Sequence, residues 1–117
     1  MNLTINGKEY ELHFGLDFIN YLDKKYFIEE QGFKLGHGLL TVVTQIEMGN
    51  PLVLVDLILA ATITGNKPKL EDVKKFIENE GDVEVLMNDF LSALETTPII
   101  RFKMKKLGLL RATKKTT

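Results

Sequence analysis

The sequence predicts an α+β fold, mostly α-helical, with an N-terminal β-hairpin followed by five or six helices around one buried central helix. Three observations carry this. Residues 2–14 alternate apolar and polar side chains around Asn6-Gly7, the dipeptide preferred in a two-residue type I′ turn because both positions need positive φ. Residues 50–65, NPLVLVDLILAATITG, are apolar on every face, which describes a helix buried on nearly all sides. Most of the remaining chain repeats its apolar residues at spacings of three and four, between glycine and proline stops.

A chain of 117 residues is one domain by size. The domain is expected over 1–112, with 113–117 as a disordered polar tail. Cysteine is absent, which excludes disulfides, thiolate metal sites and cysteine nucleophiles. A net charge of −1 exerts no general pull on nucleic acid or an anionic membrane. The opening MNLTINGKEYEL lacks the basic start and apolar run of a signal peptide, which points to the cytosol.

In the hairpin, the turn sets Ile5 opposite Lys8 and Leu3 opposite Tyr10. Leu3, Ile5, Tyr10 and Leu12 then share the apolar face, and Thr4, Glu9 and Glu11 the polar one. Unpaired strand edges invite another strand, so at least one edge should be covered by a second copy or by a later segment. Gly15 makes a corner. Residues 16–26 read as a helix with Leu16, Ile19, Leu22 and Tyr26 along one side. Asp17 in the first turn and Lys24-Lys25 in the last suit the helix dipole. Residues 27–38 show no pattern, interrupted by Gly32, Gly36 and Gly38. Leu39, Val42, Val43 and Ile46 mark the next helix, which Gly49 closes, antiparallel to the central one.

In the central helix, Asn50 is the expected cap, Pro51 the first residue and Gly65 the exit. At about 14 residues it is shorter than the roughly 20 that span a bilayer. Asp56 is its one charge, expected at the helix edge or on a local donor; no partner for a functional buried acid is visible. Residues 70–80 form a short helix with Leu70, Val73, Phe76 and Ile77 inward. Gly81 ends it and Asp82 caps the following helix, whose inner stripe is Val83, Leu86, Met87, Phe90, Leu91 and Leu94. Thr97 is the expected cap and Pro98 the start of a last helix running to about Leu110, broken or frayed near Gly108.

Catalytic chemistry finds no support. His13 and His37 lie outside any metal-ligand spacing and read as surface residues. The glycines match no phosphate-binding pattern, and no acid has a histidine or lysine placed for acid–base work. The chain is therefore read as a non-enzyme without a cofactor or metal. Its charge is segregated instead. Residues 70–96 hold eight acids against Lys74 and Lys75, whereas 97–117 hold seven bases and no acid. The basic end allows one alternative, a small nucleic-acid-binding regulator of a mobile element. Pairing with the acidic stretch, within or between chains, explains the same charges.

The stretches LTINGKEYELHFGLDFINYLDKKY, GNPLVLVDLILAAT and PKLEDVKKFIENEGDVE together resemble the tail assembly chaperones of long-tailed phages and prophages of Gram-positive bacteria. The likeness covers about residues 2–95. The hairpin, Phe14-Gly15-Leu16 and Leu22-Asp23-Lys24-Lys25-Tyr26 are its most specific parts. The resemblance implies a cytoplasmic protein of the bacterial host that is absent from the mature virion. It implies binding to the tape measure protein, which is kept soluble while tail-tube protein assembles around it, together with self-association. It also implies a longer frameshifted form, for which the Lys114-Lys115 codons are the candidate slip site.

The last helix offers the candidate contact. Ile100, Met104 and Leu107 make an inward face, while Ile99, Phe102 and Leu109 point elsewhere, flanked by Arg101, Lys105 and Lys106. Either a groove in the core takes both faces, or the second stays open for a partner.

Overall fold

Asn6 and Gly7 adopt φ of 52° and 76° and fold β1 (Asn2–Ile5) onto β2 (Lys8–Glu11) in the computed structural model, which describes residues 1–111. The register is the expected one, Leu3 opposite Tyr10 and Ile5 opposite Lys8. Ile5, Tyr10 and Leu12 enter the core and Leu3 packs at its margin. Neither strand gains a third partner strand among the described residues. The chain beyond β2 meets a helix end instead: the His13 N–H donates to the Ala61 carbonyl at 2.9 Å.

α1 (Leu16–Lys25) buries Leu22 and packs Ile19 and, just past its end, Tyr26 against the core, as its spacing suggested, but it takes Phe18 inward in place of Leu16. Phe18 and Leu22 are buried, and Leu16 is 75% exposed. Leu16 lies two residues, about 200° of rotation, from Phe18, so the two cannot share a stripe. The Phe18 ring wins because Phe14 packs edge-on against both it and Phe90, at 5.1 and 6.0 Å between centroids.

The stretch that showed no pattern is a second hairpin, β3 (Phe27–Glu30) with β4 (Phe33–Gly36). Gln31 and Gly32 take φ of 50° and 81°, the geometry of Asn6-Gly7 with a less usual first residue. All eight strand residues are exposed, so no inside–outside alternation marked the strands. Gly38 does not break a pattern here. A Cβ on it would stand 2.5 Å from the Leu22 backbone carbon, so only glycine lets the chain pass this close to α1.

α2 (Gly38–Glu47) buries Leu39, Val42, Val43 and Ile46, as expected. The central helix, α3 (Leu52–Ala61), touches α1, α2 and two of the helices that follow it. The Asn50 side chain accepts the Leu52 N–H at 3.1 Å, so the expected cap is present. The helix ends before Gly65: Thr62 turns its hydroxyl to the Ile58 carbonyl at 2.8 Å, and His13 caps Ala61 from outside. Leu52, 72% exposed, is the one apolar residue of α3 left in solvent.

α4 (Leu70–Lys75) passes into a π-helical turn, Phe76–Glu80, closed by the Gly81 N–H on the Phe76 carbonyl at 2.8 Å. Val73, Phe76 and Ile77 are inward as expected, while Leu70, at the open end of the first turn, is 48% exposed. Asp82 accepts the Val85 N–H at 3.2 Å and starts α5 (Val83–Thr96), whose predicted stripe is packed as read. α6 (Pro98–Leu107) begins at the proline, but the Thr97 hydroxyl donates back to the Ala93 carbonyl at 2.7 Å and does not cap it. Gly108 ends α6 short of Leu110, with φ of 71°. Its N–H reaches Lys105 and the Leu109 N–H reaches Met104, the paired bonds of a left-handed helix stop. The expected tail, 113–117, lies outside the described residues, as does Ala112 of the expected domain.

Candidate protein-contact surface

α6 separates the residues singled out as a contact into two environments. Ile100 and Met104 are fully buried, and they alone make the inner stripe. Leu107, expected inward, is 42% exposed at the helix end. Leu109, expected on the outer face, is half-buried against the core because Gly108 reverses the chain there. Ile99 and Phe102 remain open, at 44% and 63% exposure. The core therefore takes one face of α6 and leaves the other to solvent.

The basic groups around that face differ in their engagement. The Arg101 guanidinium donates to the Glu95 carbonyl at 3.2 Å. Lys106 holds its ammonium 5.7 Å from the centre of the Phe102 ring, a cation–π approach that keeps charge beside the exposed aromatic. Lys105 is exposed. Past Gly108, the Arg111 Nε donates to both carboxylate oxygens of Glu95 at 3.0 Å. Acidic and basic stretches thus do meet within one chain, at Glu95 and Arg111.

A second exposed apolar surface was not foreseen. Cross-strand pairing places Ile28, Leu35, Phe33 and Glu30 on one face of the β3–β4 hairpin. Phe27 and Lys34 occupy the other, where the Lys34 ammonium sits 4.9 Å from the ring centre. Phe33 is 69% exposed, and Ile28 and Leu35 are near 45% and 44%.

The hairpin stands on a buried charge. Asp56 of α3 is 5% exposed. Lys25 Nζ donates to its Oδ1 and the Tyr26 hydroxyl to its Oδ2. The expectation of an edge position or a local donor is therefore corrected: both donors lie across the fold, at the exit of α1. Partial burial first, and then the bond to Asp56, push the Tyr26 phenol up to about 12. The same exit is tied twice more, by the His37 N–H on the Tyr26 carbonyl at 2.7 Å and the Gly38 N–H on Asp23 Oδ1 at 2.9 Å. Only the pairing of a charge in an apolar helix with a Lys-Tyr at a helix end hinted at this in the sequence.

His13 lies 3.3 Å from the Glu11 carboxylate on the surface, and His37 is half-buried at the start of α2. Among the described residues no group of three or more His, Asp or Glu is placed to hold a metal ion. Among the same residues no helix is long and apolar enough to cross a membrane.

These features define a small, mostly helical α+β protein with exposed apolar groups on α6 and on a pinned second hairpin, among other places. The family model for phage tail assembly chaperone protein, TAC, matches residues 2–108, and the chain belongs to that family. No curated protein and no solved structure matches the chain.

Proposed function

We propose that this chain is a non-enzymatic chaperone that binds the tape measure protein of a long-tailed phage or prophage of a Gram-positive host. In this reading it acts in the host cytoplasm, keeps the tape measure chain soluble while tail-tube protein assembles, and leaves before the virion is complete. Several copies coat one tape measure chain. The observation that carries the reading is the family match over residues 2–108. The open face of α6 supports it. Ile99 and Phe102 supply two apolar anchors, and Arg101, Lys105 and Lys106 surround them with positive charge. A long amphipathic helix with acidic flanks fits that surface. Each anchor fully buried there contributes on the order of 1.5–3 kcal/mol before the costs of association.

The test is Phe102→Asp, co-expressed with the tape measure protein. Wild type should keep the partner soluble and co-purify with it. The variant should keep its melting temperature, since Phe102 lies outside the core, and lose the partner. Retention of the partner by a folded variant removes α6 as the contact. The basic end is examined with the same protein: affinity for duplex DNA at physiological salt should be no tighter than about 10⁻⁴ M. Micromolar binding that falls steeply with salt would favour a nucleic-acid-binding regulator instead.

A further inference from the structure

We infer that the β3–β4 hairpin is a docking arm, and that it seats in the groove beside α3 and α4 of a second copy of this chain. Among the described residues the arm and the groove each face solvent. A two-stranded hairpin is marginal in water on its own. This one is held at its base by Tyr26 on Asp56, by His37 on Tyr26 and by Gly38 on Asp23, yet among the described residues its apolar face stays exposed. An arm held at its root is partly preorganised, because its direction is already set before contact.

The groove has a volume of about 270 Å³ and is lined by Pro51, Leu52, Val55, Lys74, Ile77 and Glu78. That space admits one aromatic ring with an aliphatic neighbour. Its wall includes Leu52, the residue of α3 that the core leaves out. Phe33, the most exposed apolar residue of the hairpin and next to its turn, is the natural occupant.

Charge selects a second copy over an unrelated apolar partner. Glu30 is the direct cross-strand partner of Phe33 and shares its face. The groove carries Lys74 and, four residues on, Glu78. With Phe33 seated, Glu30 beside it on the same face meets Lys74, an acid against a base. Every chain carries one arm and one groove, so every copy can both give and receive. The joint is heterologous, using two different patches. This contact goes beyond the tape measure reading and needs no tail protein, so either can fail while the other stands.

The experiment is sedimentation of the purified full chain over a concentration series. Wild type should associate reversibly. Phe33→Asp and Leu52→Asp should each weaken association at least about 25-fold, the loss expected for an interface anchor. Both should keep the wild-type melting temperature, since both positions are exposed. Mixed in equal amounts, the two variants should form a dimer and nothing larger, since the mixture retains one intact arm and one intact groove. Glu30→Lys should weaken association and the added Lys74→Glu should restore it, which checks the contact without touching an apolar group. A wild type that stays monomeric into the millimolar range overturns the proposal. So does either aspartate variant associating like wild type, or a mixture that stays monomeric.

Discussion

At the scale of single residues, Asp56 shows how a buried charge can organise a small core. Its desolvation is offset by one cation and one phenol, and both come from the exit of α1. Removing the carboxylate leaves Lys25 and Tyr26 facing an apolar helix, so Asp56→Ala should cost about 1–3 kcal/mol in urea denaturation. Tyr26 adds a pH dependence. Its folded pKa, about 12, exceeds the ordinary 10.0, so the folded state holds the proton more tightly than the unfolded one. The resulting stability is complete below pH 10 and is lost as pH rises through about 12. Tyr26→Phe should lower stability at neutral pH and flatten the loss over that alkaline window. A variant with the same alkaline slope as wild type would place the titration elsewhere. None of this was legible from a local window, because Asp56 and its donors are separated by thirty and thirty-one residues.

At the scale of elements, the first hairpin and the helix stripes were readable because burial writes a period into the chain. Asn6-Gly7 fixes a register, and Leu86, Phe90 and Leu94 repeat at helical spacing. The second hairpin has no buried side, so its strands carry no such period, and only a left-handed Gln31-Gly32 turn joins them. Inner faces were misjudged where a helix starts: Leu16, Leu52 and Leu70 all sit at a first helical position and all face solvent. Two glycines separate two kinds of constraint. Gly38→Ala drives a Cβ into the backbone of Leu22 and should cost about 1–3 kcal/mol or more. Gly108→Ala meets open space, and its cost, about 1–2 kcal/mol, comes from the left-handed φ alone. Gly108→Asn should therefore recover part of the Gly108→Ala loss, whereas Gly38→Asn should be worse than Gly38→Ala. Denaturant midpoints for the four variants decide this, and equal behaviour at both sites would contradict it.

At the scale of the molecule, the described chain measures 43 × 43 × 23 Å, a flattened body. α3 is its hub, touching α1, α2, α4 and α5, which is why a stretch apolar on every face was so informative. Charge segregation was also readable, yet its outcome was not. Glu95 and Arg111 join the acidic and basic stretches within one chain, while Lys105 and Lys106 stay on the surface. The candidate contact on α6 was half legible for the same reason. Spacing alone puts Ile99 and Phe102 outside the inner stripe, but the reversal at Gly108 that draws Leu109 back to the core follows from one left-handed residue.

The pinned base of the second hairpin divides twelve residues into two time regimes. The ladder from Phe27 to Gly36 has no buried side chain, so its amides should exchange with solvent through brief local openings. The His37 and Gly38 amides are bonded to Tyr26 and Asp23 at the root, beside the buried Leu22. They should exchange only when the whole domain unfolds. Deuterium uptake followed by NMR should therefore rise first along both strands and last at the root, and equal rates across residues 27–38 would mean that the arm and its anchor open as one. An element built this way can flex at its tip without loosening the body that carries it.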